Sequence, residues 1–556
     1  MENFSVCHNS PRNTSSKIYQ DLRSVRLASL PGLGRDHLLR KVAAMDFFAQ
    51  CRNNNNNSNE PMAKPHVAVV GAGLAGLRCA HVLQRHGFRV TVIEARNRIG
   101  GRLWQEKLAN GHLVDVGPNW IHGTLDNPMH DLARQTKTVI GRWEPVSNVF
   151  DQAGLLFPPE DGERYADVMW DIIQEAFKLS NESCLDINSA KSLYDYFREK
   201  VAERFPDTEP DSEHNKRVIL QLAETWGTFV GSPVSRQSLK YFWLEECLDG
   251  AENLFCAGTY KKILDVIARP VLAESEVLFD TKVRRISCRG QQGEKTRLHV
   301  VHGDAEESVL AFDDVVVTCP LGWLKRNVEA FEPPLPPRLA RAIGSIGYGC
   351  LEKVYVSFPK AFWLSEDGDK DQVRGFIQWL SPDYAPESNP DRWAQEAVEL
   401  ASLEPGSSHA TLLFYLFGDQ SRQVAEKLSA LTTEAERDEY LAEYFKPYYS
   451  RLPRYVESSA DCRPSGCLAT AWVTDELAGY GSYSNFQVGL EEGDEDIKTM
   501  RAGLPERGLW FAGEHTAPFV AIGTATGAYW SGESVGRRVA EAYGLSSSSS
   551  SKRKGK

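Results

Sequence analysis

The sequence predicts a mixed α/β fold, α+β in its later parts: a Rossmann-type dinucleotide-binding domain with a second, substrate-binding domain interleaved into it. Three observations carry the prediction. A valine-rich run, His66–Val70 (HVAVV), leads directly into Gly71-Ala-Gly73-Leu-Ala-Gly76. Residues 74–86 then place Leu77, Ala80 and Leu83 at helical spacing before stopping at Gly87, and residues 89–93 (RVTVI) form a second buried strand. Strand, glycine turn, helix and strand within about 30 residues make a right-handed βαβ unit. Downstream, segments that read as strands alternate with helical stretches rich in charge.

Among those later segments, residues 276–287, 297–302, 308–318, 353–358 and 410–416 read as strands. Residues 165–179, 193–204 and 432–445 read as helices. Residues 383–408, with Pro386, Pro390, Pro405 and many polar side chains, are expected to form a surface excursion. Segments 61–150, 252–345 and 470–543 are assigned to the cofactor domain, and 151–251 and 346–469 to the substrate domain. Residues 1–60, ending in the run Asn53–Asn57, are expected to be a disordered leader with a short amphipathic helix over 37–50. Residues 544–556 are expected to be a disordered basic tail.

A chain of 556 residues exceeds one typical domain, and 42% hydrophobic with 25% charged residues allows a large core. The net charge of −12 argues against nucleic-acid binding and suits a cationic small molecule. Eleven cysteines, an odd number without a CxxC pair, read as reduced thiols, and no metal site is expected. No apolar run reaches the ~18 residues that span a bilayer. The N-terminus lacks a secretory apolar core and the C-terminus is not Ser-Lys-Leu, so the expected location is the cytoplasm. Oligomeric state is not legible.

The glycine turn carries specific chemistry. Its first glycine permits the tight turn, the second admits a pyrophosphate to the backbone, and the third lets helix and strand pack closely. The helix N-terminus presents free N–H groups to phosphate. Glu94 ends the second strand, 18 residues after Gly76, where a carboxylate accepts from a ribose diol. Arg98-Ile-Gly100-Gly101-Arg102 follows. Paired glycines beside guanidiniums make a second clamp on the same pyrophosphate, which points to FAD rather than NAD.

GAGLAGLRCA…VTVIEARNRIGGR resembles the N-terminus of the flavin amine oxidases, with the polyamine oxidases nearest in pattern. The resemblance runs in order through VDVGPNWIHG, ENLFCAGTYKKIL, DDVVVTCPLGWLK, GYGCLEKVYVSFPKAFW and GYGSYSNFQVG to GLWFAGEHTAPFVAIGTATGAYWSG. It implies that Glu94 holds the adenosine ribose, Arg102 lies near the pyrophosphate, and Val283 offers its backbone to adenine. Gly513 and Glu514 would meet the ribityl chain, Gly527-Ala528 would open a helix beneath the isoalloxazine, and Trp472 would lie against the flavin.

The same resemblance assigns catalysis to Lys353 and His122. Lys353 interrupts an apolar strand, which is costly unless the lysine is paired, functional or snorkelling. In the family it holds a water near the flavin. His122, in Trp120-Ile-His122-Gly, would line the substrate tunnel, where a neutral imidazole can take a proton from an ammonium. Tyr483 would be one wall of an aromatic sandwich for the amine. The usual second wall is replaced by Val520, with Phe519 beside it, and Trp120 is a further wall candidate.

The implied reaction is oxidation of a secondary amine of a spermine- or spermidine-like chain, or an acetylated form, by O2, with hydrogen peroxide as co-product. An L-amino-acid oxidase would need a guanidinium clamp, for which Arg236 is available. A histone lysine demethylase would need a preceding helical domain and a long inserted hairpin, neither of which is evident. A non-catalytic flavin scaffold would need neither Lys353 nor His122.

Overall fold

The valine-rich run forms the strand His66–Val70 at the centre of a five-stranded parallel sheet. The computed structural model describes residues 64–143, 147–246, 253–291, 293–365 and 372–545. The expected leader, its helix over 37–50 and the tail beyond 545 lie outside them. The sheet runs Leu509–Phe511, Asp314–Val317, His66–Val70, Arg89–Ile93, Glu276–Leu278. Strand order therefore reverses between His66–Val70 and Asp314–Val317, which leaves a ligand crevice at the carboxyl end of the first strand. The helix Leu74–Arg85 follows that strand, and the last helix, Ala525–Ala542, packs on it at backbone distance. A Cβ on Gly532 would fall 2.1 Å from the Ala75 carbonyl oxygen, so only glycine permits this approach. Arg78 and Glu533 pair across the contact at 2.6 Å.

Two expected strands each prove to be two. Residues 276–287 break at Asp280, whose φ is +50°. Glu276–Leu278 stays in the parallel sheet, while Thr281–Ser287 joins a four-stranded sheet with Ser308–Phe312, Thr296–His302 and Phe331–Glu332. Residues 308–318 divide at Asp313 in the same manner, into Ser308–Phe312 and Asp314–Val317. A chain passing between two sheets looks continuous in hydropathy, because both halves are apolar.

A six-stranded sheet runs Gly466–Ala469, Leu351–Ser357, Thr411–Phe417, Gln395–Glu399, Phe376–Trp379, Ser147–Phe150. It is antiparallel except at Ser147–Phe150, which pairs in parallel with Phe376–Trp379. Ser147–Phe150 thus belongs to this sheet although it precedes the expected boundary at 150. The expectation of a surface excursion over 383–408 is corrected: Gln395–Glu399 is an internal strand with all five residues buried. One face of the sheet meets Phe445, Tyr448 and Leu441 of the helix Glu434–Tyr449. The opposite face, with Tyr355, Leu413, Tyr415 and Val398, meets Trp120 and Phe255. The helices Pro159–Ser183, Leu193–Arg204 and Ser212–Glu224 enclose a separate apolar cluster.

The described residues from Pro65 onward form one compact unit. All eight described cysteines are free thiols. No helix among the described residues is long and apolar enough to cross a membrane.

Candidate active site

The two glycine turns lie against each other at the crevice. Gly71 has φ +107°, and a Cβ on Gly76 would fall 1.9 Å from the Gly71 carbonyl oxygen, so both positions demand glycine. Gly73 and Gly100 form a parallel bridge, and the Gly100 N–H donates to the Ala72 carbonyl at 2.9 Å. Gly101, at φ +59°, sits beside the Cα of Gly73. Glu94 is buried, accepting from the Ala72 N–H at 2.7 Å and the Arg96 N–H at 2.8 Å. A side-chain-free backbone cradle at a helix N-terminus, next to a fixed carboxylate, fits the pyrophosphate and ribose of a dinucleotide.

Arg102 crosses from this cradle to the far side of the crevice. Its guanidinium donates to the Ser482 carbonyl at 2.6 Å, to Tyr348 Oη at 3.3 Å and to Glu514 Oε1 at 3.1 Å. Burial opposes its charge, but Tyr348 and the Glu514 carboxylate outweigh that and raise its pKa. Arg98 is placed differently. It donates to the Ile99 and Gly101 carbonyls and covers the Trp104 ring at 4.0 Å, so it braces the turn from within. Glu514 is buried and also accepts from the Ser484 hydroxyl. Gly513, at φ +147°, leaves no room for a side chain beside His515, whose Cε1 would lie 2.6 Å from a Cβ. His515 is itself buried, with both ring nitrogens unpartnered among the described residues, and burial lowers its pKa to about 4. Sequence reasoning did not single it out.

Val283 lies in Thr281–Ser287, opposite Val300 on one neighbouring strand. Among the described residues, the strand on its other side pairs only at Ile286 and Ser287, so the edge at Val283 faces no strand. The last helix begins at Ala525, capped by Thr524 through the Gly527 N–H at 2.9 Å.

Lys353 is 6% exposed, which excludes a snorkelling side chain. Its ammonium donates to the Gly117 carbonyl, and Trp472 Nε1 donates to the preceding carbonyl, of Val116, at 3.1 Å. Burial pulls the lysine pKa well below its usual range, while Asp115 and Glu352 oppose that shift. Asp115 is buried, accepts from Gln105 Nε2 at 2.7 Å and the Tyr260 N–H at 2.9 Å, and is raised by burial. Among these acidic neighbours Lys353 can exchange a proton near neutral pH.

His122 is half-buried on the strand Trp120–His122, which pairs with Asn253–Phe255. Its Nδ1 lies 3.1 Å from Asn253 Oδ1, and burial lowers its pKa against that bond, which favours the neutral ring. Asn127, another residue the sequence did not reveal, holds the His122 and Gly123 carbonyls at 2.9 and 2.8 Å and accepts from Thr526 Oγ1 at 2.8 Å. The His122 segment is thereby fixed to the N-terminus of the last helix. Trp120 donates to Tyr415 Oη at 3.1 Å and stacks on Phe376 at 5.7 Å.

Tyr483 donates to the Phe229 carbonyl at 2.7 Å. A Cβ on Gly523 would sit 3.5 Å from Cδ2 of its ring. Phe519 packs edge-on against Trp243 at 5.4 Å, with the Arg501 guanidinium 5.2 Å over the ring. Val520 is exposed, as is Arg236, which therefore forms no buried carboxylate clamp. Among the described residues no cluster of His, Cys, Asp or Glu is arranged for a metal ion.

Comparison with known proteins bears on this site. The chain is similar to Probable polyamine oxidase 4 of Arabidopsis thaliana, 26% identical over 85% of this chain and 86% of that protein. It is similar to the Peroxisomal N(1)-acetyl-spermine/spermidine oxidase of Bos taurus, 27% identical over 82% and 91%. The Lysine-specific histone demethylase 1B of Mus musculus is 27% identical over 54% of this chain and 35% of that protein. The fold is shared with a cyclohexylamine oxidase from Brevibacterium oxydans IH-35A, at TM-score 0.63 and 19% identity over 87% of this chain and all of that one. A pyridine nucleotide-disulphide oxidoreductase profile matches residues 24–114. The profile described as flavin containing amine oxidoreductase matches residues 74–540. With its dinucleotide cradle and buried lysine, the chain belongs to that family and is an FAD-dependent amine oxidase.

Proposed function

We propose that the enzyme oxidises polyamines, spermine- or spermidine-like chains or their acetylated forms, with O2 as electron acceptor. The observation that carries this reading is similarity to two polyamine oxidases over 86% and 91% of their own length, set against histone demethylases matched over 35%, 53% and 57% of theirs. The neutral, half-buried His122 and the net charge of −12 support it.

Bound FAD supplies the two-electron acceptor; the chain's own groups prepare the amine. Oxidation requires an unprotonated nitrogen whose lone pair assists loss of hydride from the adjacent carbon. His122 Nε2 takes the ammonium proton, with Asn253 and Asn127 fixing the ring and its strand. The aromatic faces of Tyr483 and Trp120 orient the carbon chain and tolerate both amine forms. Lys353 positions water against the Val116–Gly117 backbone and moves a proton there. Water adds to the released imine, giving an aldehyde and a shorter amine. The two electrons and two protons leave on O2 as H2O2.

The test is amine-dependent peroxide release by purified holoenzyme. Turnover of spermine or an acetylated polyamine supports the reading, and turnover confined to amino acids overturns it.

A further inference from the structure

The face of the six-stranded sheet that carries Lys353 holds a continuous polar row. Lys353 is paired across strands with Tyr415, Tyr415 with Glu396, and Glu396 with Gln378. Side chains directly opposite in register share a face, and neighbouring strands lie about 4.8 Å apart. Glu396 therefore stands roughly 10 Å from Lys353 across the sheet. Its carboxylate accepts from Thr228 Oγ1 at 2.7 Å and from Gln378 Nε2 at 3.0 Å. Both donors are neutral, and no salt bridge to Glu396 occurs among the described residues. An unpaired buried carboxylate is costly, and here burial raises its pKa to about 7. Gln378 Oε1 beside it is a buried acceptor with no hydrogen-bond partner among the described residues. A carboxylate and a vacant amide acceptor together are a receptor for a donor-only cation such as an ammonium, which has three N–H groups.

The surroundings suit the rest of such a ligand. Phe376 and Gln378, on the strand next to Glu396, are half-buried, and Trp120 stacks on Phe376. Thr228 adjoins Phe229, whose carbonyl holds Tyr483. Carboxylate, aromatic faces and Lys353 thus line one surface.

We propose that Glu396, assisted by Gln378, binds a second ammonium group of the substrate, one carried by the same chain as the nitrogen being oxidised. Glu396 is then a specificity determinant that favours dications and polycations over monoamines. The inference rests on the polyamine reading above and adds the residue that recognises the distal charge.

The experiment uses holoenzyme without O2 and reads flavin absorbance changes on titration with 1,8-diaminooctane and with octylamine. Wild-type enzyme is expected to bind the diamine at least ~10-fold more tightly. In Glu396→Gln that preference should fall to within about 2-fold, with Glu396→Asp restoring part of it. Should Glu396→Gln fail to retain flavin, Gln378→Leu reports instead, with a loss of about 3-fold in the preference. A wild type without preference for the diamine, or a flavin-bound variant that keeps it, overturns the proposal. Polyamine turnover by wild type with an unaltered preference in Glu396→Gln removes only the Glu396 assignment. Absence of polyamine turnover removes the underlying reading.

Discussion

Lys353 lies directly across the strand pair from Tyr415, with its ammonium nitrogen 6.0 Å from the centre of the tyrosine ring. The tyrosine hydroxyl in turn accepts from Trp120, at 3.1 Å. Through these two contacts the buried lysine and the His122-bearing strand, which come from distant parts of the sequence, occupy one fixed arrangement.

That arrangement makes Lys353 a strong candidate for the proton chemistry. Lys353→Met should slow flavin reduction or reoxidation by at least ~10-fold in stopped-flow measurements. The fold should persist, because Asp115 and Glu352, both raised by burial, can take up a proton once the ammonium is gone. Unchanged rates in both half-reactions would leave the lysine a purely structural role.

The cradle makes a sharper structural demand. Gly76→Ala places a Cβ 1.9 Å from the Gly71 carbonyl oxygen, so the turn must open. Arg102→Ala removes three donated hydrogen bonds spanning the crevice. Both variants should purify with a lower ratio of flavin to protein absorbance, and Gly76→Ala should also melt at lower temperature. Full flavin content in both would contradict the assigned cradle.

His122 is expected to act as a neutral base. His122→Ala should lower kcat/KM for polyamines by on the order of 10- to 100-fold. Since burial lowers the imidazole pKa, the wild-type acidic limb due to this group should lie below the ordinary histidine value of 6.5. A pH profile of kcat/KM in which the variant keeps that limb would assign it to another group.

Stability carries a signature of Glu396. Its folded pKa, about 7, exceeds the ordinary 4.5, so the native state binds the extra proton in that interval. The associated stabilisation is complete below about pH 4.5 and is lost as pH rises through about 7. A shift of that size corresponds to at most about 3 kcal/mol. Glu396→Gln does not titrate, so its Tm relative to wild type should be higher at pH 8 than at pH 5.5. A pH-independent difference would mean that the carboxylate stays charged in the folded protein.

The dinucleotide unit was legible because its determinants are local. Glycines 71, 73 and 76, the helix spacing of Leu77, Ala80 and Leu83, and the strand end at Glu94 all fall within thirty residues. Gln395–Glu399 was not legible, because its two buried carboxylates draw most of their donors from outside the segment. Glu396 uses Thr228 and Gln378, and Glu399 accepts from Trp143 and from the Gly375 and Ala401 N–H groups. In a linear reading such residues look like a solvated loop. Asn127 escaped for the same reason, since its value lies in joining His122 to Thr526.

Steady-state peroxide release tests the central claim most directly, comparing spermine, spermidine and their acetylated forms with simple monoamines and L-amino acids. The account predicts that kcat/KM is highest for a polyamine or acetylated polyamine, with one equivalent of H2O2 formed per amine oxidised. Activity confined to monoamines or amino acids would contradict it.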